Sequence, residues 1–193
     1  VGVDCTEMRA AESALRSAEE RYRLFLENFN GIAYQISFKT FQPSFFHGAV
    51  AEITGYDPAD FMSQKVAWKD LMHPDDLAGI QEINHGLKTQ PGFVGDSEYR
   101  ICVRDGSVRW VRDIARVVRD SDGEPLYFQG AIYDITARKT AELSLAESEN
   151  RFRSLAGSAI DFIFIKNARR KYTFVNPAME RLLGLPAAEI AGK

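Results

Sequence analysis

A chain of 193 residues with 45% apolar side chains can bury one complete core and part of a second. Its 24 lysines and arginines are interspersed with 27 aspartates and glutamates for a formal charge of -3, so no basic stripe offers itself to a phosphate backbone and nucleic acid is not an expected partner. Apolar runs such as Phe162 to Ile165 fall far short of the roughly 18 to 20 residues of a membrane span, and no basic-then-apolar leader opens the chain; the expectation is a cytoplasmic fragment without membrane contact.

The first predicted element is an amphipathic helix within residues 1–30. Met8, Ala11, Leu15, Ala18, Tyr22, Phe25 and Phe29 step alternately by three and four, the spacing of a heptad seam. Gly31 to Phe38 and Pro43 to Val50 follow as strands rich in β-branched and aromatic residues. Gly55 then stands where a helix ends, and Asp57, Pro58 and Asp60 read as N-cap, N1 and N3 of the next one. His73-Pro74-Asp75-Asp76 repeats the device, with both carboxylates facing the positive end of a helix that runs to about Lys88. Glu98 to Val103 and Val108 to Arg119 form a hairpin whose Asp105-Gly106 turn suits type I′ geometry. A second turn, Ser121 to Pro125, leads into a strand from Leu126 to Ile135. The expected fold class is α+β: a five-stranded antiparallel sheet with helices on one face.

A linker helix over residues 138–158 comes next, and here the chain repeats itself. Ala141, Leu145, Ser148, Phe152, Leu155 and Ala159 form a second seam, each lying 130 positions after a member of the first. Arg21-Tyr22-Arg23 returns as Arg151-Phe152-Arg153, and Ile53-Thr54-Gly55 as Leu182-Leu183-Gly184. That period suits tandem domains joined by helices. Residues 159–193 read as the beginning of a second, truncated domain. Two uses of the seams stay open: homodimerisation through Leu15, Ala18, Tyr22, Phe25, Leu145 and Phe152, or packing of each helix on its adjacent domain. Three states stay open for residues 159–193: disorder, pairing with another chain, or docking on the first domain.

Four stretches, Gly55 to Phe61, Trp68 to Asp76, Glu98 to Val111 and Gly130 to Thr136, together resemble, in order, the motifs of the PAS sensor domain with its PAC motif. Asn176-Pro177 and Gly184-Leu185-Pro186 resemble the opening of a second such domain. The resemblance implies a PAS fold over residues 31–137 between signalling helices. It also implies a non-catalytic sensory or relay module of a larger signal-transduction protein, such as a sensor histidine kinase of a two-component system, partnered by adjacent PAS and output domains. The alternative is a ligand-free dimerisation module of a diguanylate cyclase or other regulator.

The same resemblance implies a space between sheet and helices. Alternation along the strands puts Tyr34, Phe46, Tyr99, Ile101, Val111, Asp113, Phe128, Gly130 and Ile132 on the inner face as candidate lining. An unidentified small molecule and a filled apolar core both remain open. Flavin-binding members carry an Asn-Cys-Arg motif and inner-strand asparagines; Ile101 and Val111 stand at the asparagine positions and Cys102 points away, so flavin is not expected. Haem-binding members carry a histidine on the long helix, nearer Gln81 than His85, so haem is not expected either. The helix start accounts for His73, Asp75 and Asp76, which leaves no metal or catalytic cluster. Cys5 and Cys102 read as reduced thiols. The family relays signals through Asp134-Ile135-Thr136, with Trp110 as the expected packing partner, into the outgoing helix.

Overall fold

Heptad spacing at the start of the chain becomes helix α1 (Cys5–Glu27) in the computed structural model. The structure describes residues 5–193, apart from the side chains of residues 5–7, 10–11, 18–19, 22 and 25–27. The chain forms two compact units, with the boundary between Ala137 and Arg138.

The first unit is built on strands β1 (Gly31–Ser37), β2 (Pro43–Gly48), β3 (Val94–Cys102), β4 (Val108–Arg119) and β5 (Pro125–Asp134). They form one antiparallel sheet in the order β2-β1-β5-β4-β3. Between β2 at one edge and β3 at the other, the chain crosses through α2 (Val50–Thr54), α3 (Pro58–Met62), α4 (Trp68–Leu71) and α5 (Leu77–Thr89). Alternation sends Ile32, Tyr34, Tyr99, Ile101, Val111 and Ile132 to one face, where they meet Val50, Ile53, Phe61, Leu71, Ile80 and Leu87 from the helices in a single core. The architecture is the α+β layout read from the sequence, with the helices on that one face.

Local chemistry explains the helix ends. The Asp57 carboxylate accepts the Ala59 N–H at 2.8 Å and Pro58 follows at N1, as the sequence signals require. Gly55 closes α2 with φ at 77°. The His73 device differs from expectation in two ways. Pro74–Asp76 is a short 3₁₀ turn, so α5 starts only at Leu77. The carboxylates of Asp75 and Asp76 turn to β3 rather than to the helix dipole. Asp76 accepts the Arg100 backbone N–H at 2.8 Å and its guanidinium at 2.6 and 3.0 Å, and Asp75 accepts the same guanidinium at 3.3 Å. A forked cation offers charge-assisted bonds that outcompete the partial charges of a helix end. Arg100 accordingly holds the Asp76 carboxyl below its ordinary range.

The β3–β4 connection also departs from the reading. Positive φ occurs at Gly106 (83°) and not at Asp105, and the Val103 N–H bonds to the Ser107 carbonyl at 2.9 Å. Type I′ needs two positive φ values, so the loop is the three-residue form, closed by a left-handed glycine.

The second unit contains most of α6 (Thr136–Ser158), the hairpin β6 (Phe164–Lys166) and β7 (Tyr172–Val175), and helices α7 (Pro177–Leu183) and α8 (Ala187–Ile190). Asn176, with no exposed surface, organises it. Its side-chain oxygen accepts N–H groups from Met179 and Ile163, and its amide donates to the carbonyls of Ala156 and Asp161. Val175, Met179 and Ile190 pack beside it. Phe162, Phe164 and Ile165 stay about half exposed.

Along the predicted seams, Leu15 and Leu145 are exposed, whereas the Phe152 ring lies 5.0 Å from that of Phe174 on β7. Phe152 therefore packs on its own unit, and the side chains of Ala18, Tyr22 and Phe25 lie outside the described residues. No helix among the described residues is long and apolar enough to cross a membrane.

Gly130 on β5 sits opposite Tyr34 of β1 and Ala115 of β4. A Cβ there would lie 2.6 Å from the end of the Tyr34 ring and 2.7 Å from the Ile114 carbonyl oxygen. Gly130→Ala is expected to lower unfolding free energy by about 1–3 kcal/mol, the usual range for overpacking. Urea unfolding measures it, and an unchanged midpoint would refute this close approach.

Candidate functional site

Between the sheet and helices α3 to α5 lies a cavity of about 610 Å³. Its apolar wall is aromatic: Phe46 of β2 stacks on Phe61 of α3 with centroids 4.6 Å apart, and Trp68 at the start of α4 lies 6.0 Å from Phe46. From α5, Ile80, Ile83 and Leu87 complete the helical side.

One acid stands in this wall. The alternation Val111, Asp113, Ala115 carries Asp113 inward on β4, opposite Ser97 and Ile132. Tyr34 donates its hydroxyl to Asp113 Oδ1 at 3.0 Å, and Tyr99 donates to Oδ2 at 3.1 Å. The indole N–H of Trp68 donates to the Tyr99 oxygen at 2.9 Å. An indole nitrogen can only donate, so the direction of the chain is fixed: Trp68 to Tyr99 to Asp113. Burial pushes the Asp113 carboxyl up to about 6, against the two tyrosine bonds, which pull it down. Burial and the adjacent Asp113 charge raise both tyrosines. Asp113 lines the cavity and is partly accessible.

Of the nine residues expected to line a pocket, Tyr34, Phe46, Asp113, Phe128 and Ile132 do so. Ile101 and Val111 are wholly buried core residues; Tyr99 stands behind Asp113, and Gly130 lies under the Tyr34 ring. The sequence reading missed the helical half: Phe61, Trp68, Ile80, Ile83 and Leu87. The spacing of Ile80, Ile83 and Leu87 is the stripe that marks α5's inner side. His85 on α5 and His47 on β2 are exposed, His73 caps the 3₁₀ turn, and Cys102 is exposed. Among the described residues, no group of three His, Cys, Asp or Glu side chains is placed to hold a metal.

A second constellation lies where β5 becomes α6. Asp134 Oδ1 accepts the Thr136 N–H at 2.8 Å, while Oδ2 takes the Arg109 guanidinium at 3.1 Å. The same Arg109 nitrogen donates to the Glu52 carbonyl of α2 at 2.7 Å. The Ile135 N–H bonds the Trp110 carbonyl at 2.9 Å, and the Trp110 N–H bonds Thr136 Oγ1 at 3.0 Å. Trp110 thus holds the junction through its main chain. Its indole also faces the Arg100 guanidinium, 5.6 Å from the ring centroid.

Two family models described as PAS fold match the sequence, one over residues 43–132 and one over residues 150–193. The chain belongs to the PAS fold family. Over 58% of its length it is 34% identical to part of the methyl sulfide methyltransferase-associated sensor of Methanosarcina acetivorans, covering 11% of that protein. Over 99% of its length it is 26% identical to part of the two-component sensor PprA of Pseudomonas aeruginosa, covering 20% of it. The chain spans less than a quarter of the length of the curated relatives it matches first. A solved structure, the sensory box histidine kinase/response regulator from Burkholderia thailandensis, superposes with a TM-score of 0.56 at 25% identity over 69% of this chain and 98% of that one.

The raised Asp113 carboxyl makes a pH prediction. A folded value near 6 against about 3.9 in the unfolded chain means that the folded state binds this proton more tightly. The stability it contributes is full below about pH 4 and lost as pH rises through 6. Asp113→Asn cannot lose it. Relative to wild type, the variant is expected to gain about 3 kcal/mol between about pH 4 and pH 8 in urea unfolding. A gap that stays constant with pH would show that Asp113 does not titrate in that window.

Proposed function

We propose that this segment is a non-catalytic sensory module in which a small molecule in the cavity alters the seating of α5 against the sheet, and the Asp134-Ile135-Thr136 junction passes that change to α6. The observation that carries the reading is one connected set of contacts. α5 lines the cavity and follows directly on Asp76; Asp76 is held by Arg100; Arg100 faces the Trp110 indole; and the Trp110 backbone holds Thr136 at the start of α6. A ligand can shift such a two-state element only by its differential affinity for the two arrangements, about 1.4 kcal/mol for each tenfold ratio.

In this reading the parent protein is a sensor histidine kinase, supported by the sensor names of its relatives, and neighbouring PAS and output domains are its partners. Homodimerisation is part of the proposal: exposed Leu15 and Leu145 offer apolar contacts that a partner helix would cover. The fragment works in the cytoplasm. The competing reading, a ligand-free dimerisation module of a diguanylate cyclase, gives the cavity no role.

Two measurements test this. Native mass spectrometry of the purified segment is expected to give a dimer retaining a small molecule; a dimer without added mass and with no affinity for any cavity probe would favour the competing reading. In the full-length parent, replacing Asp134 and Thr136 by Ala together is expected to leave the melting temperature within a few degrees, roughly a 1 kcal/mol effect, while abolishing stimulus-dependent output. Unchanged signalling in that double variant would refute the relay.

A further inference from the structure

The cavity's chemistry narrows what it can hold. Asp113 is a carboxylate set among aromatic rings, and each of its oxygens accepts a single tyrosine bond. An ionised carboxylate has about four acceptor sites, so one on each oxygen remains unfilled. Among the described residues no lysine or arginine forms an ion pair with it. The two lysines that line the cavity, Lys69 and Lys88, are exposed, and the Lys88 ammonium lies 5.2 Å from the Phe41 ring centroid. The buried charge therefore has hydroxyl partners and no counter-charge, a costly arrangement for a carboxylate removed from water.

We propose that the cavity takes a protonated amine with an apolar body, its ammonium group on Asp113 and its body among Phe46, Phe61 and Trp68. This deepens the sensory reading above and rests on it. A cation supplies the counter-charge that the protein withholds, and the electron-rich faces of the surrounding rings favour it further. An anionic ligand would set like charges side by side, and a purely apolar ligand would leave the carboxylate unpaired. At about 610 Å³ the space holds a small molecule with an aromatic ring and a short alkylamine arm.

Proton linkage follows. Tyr34 from β1 and Tyr99 from β3 face Asp113 and stay neutral across the physiological range, since burial raises both. Asp96, on the neighbouring strand, adds a negative field and is itself paired with Arg112 at 2.6 Å. Lys69 on α4 and Lys88 on α5 are exposed. Asp113 is thus the group that changes charge between about pH 5 and 7.5, and amine binding favours its ionised form, so affinity rises with pH over that interval.

Isothermal titration of the intact segment with three matched probes tests the proposal: 2-phenylethylamine, 2-phenylethanol and 3-phenylpropanoate. The amine is expected to bind at least about tenfold more tightly than the alcohol near pH 7.5, and the acid weakest of all. Asp113→Asn should erase the amine's advantage while leaving alcohol binding in place, which also shows that the variant is folded. Lowering the pH to about 5 should weaken the amine several-fold and leave the alcohol unchanged. If the alcohol or the acid binds as tightly as the amine, the cavity is a ligand site and the amine assignment is wrong. If none of the three binds and the purified segment retains no small molecule, the amine assignment and the sensory reading fall together.

Discussion

Arg100 ties the helix that walls the cavity to the strands that lead into the β5–α6 junction. Its guanidinium grips the Asp76 carboxylate just before α5, its backbone N–H is bonded to the same carboxylate, and its guanidinium faces the Trp110 indole. Bidentate pairing fixes both position and angle, which a single point charge would not do. The helix that walls the cavity is therefore held to a strand whose neighbour, through the main chain of Trp110, bonds the Ile135 N–H and the Thr136 hydroxyl. Remove that guanidinium and the cavity and the junction lose their common reference.

The polar interior is economical. One acid, two phenols and one indole form a chain with a single direction, and every buried side-chain polar atom described has a partner. Such networks specify one arrangement of a core at some expense in stability. Here they also set the charge of the cavity, because the same hydroxyls that steady Asp113 are donors that favour its ionised form while burial opposes it.

Strand positions were legible in the sequence because alternation and β-branched composition are local properties. Asp57 and Gly55 were legible for the same reason, since a cap and a left-handed helix end are decided within a few residues. Asp75 and Asp76 misled because their partner, Arg100, lies 24 residues from Asp76, and local reasoning assigns an acid in a first turn to the helix dipole. Half of the cavity wall was hidden likewise. Phe61 and Trp68 sit on helices too short to show a stripe, and only the closing of the fold brings them against Phe46. Asn176 was legible as part of a resemblance, but its four-way bonding depends on groups up to 20 residues distant.

The glycine beneath Tyr34 bears on how such domains diverge after duplication. The end of the ring occupies the space a methyl group on Gly130 would take, and from there its hydroxyl reaches Asp113 across the strands. A single codon change to alanine would lift the ring toward the hollow it borders. In a family where one chain carries two copies of the same fold, a hollow domain and a plugged one can thus be separated by one carbon atom.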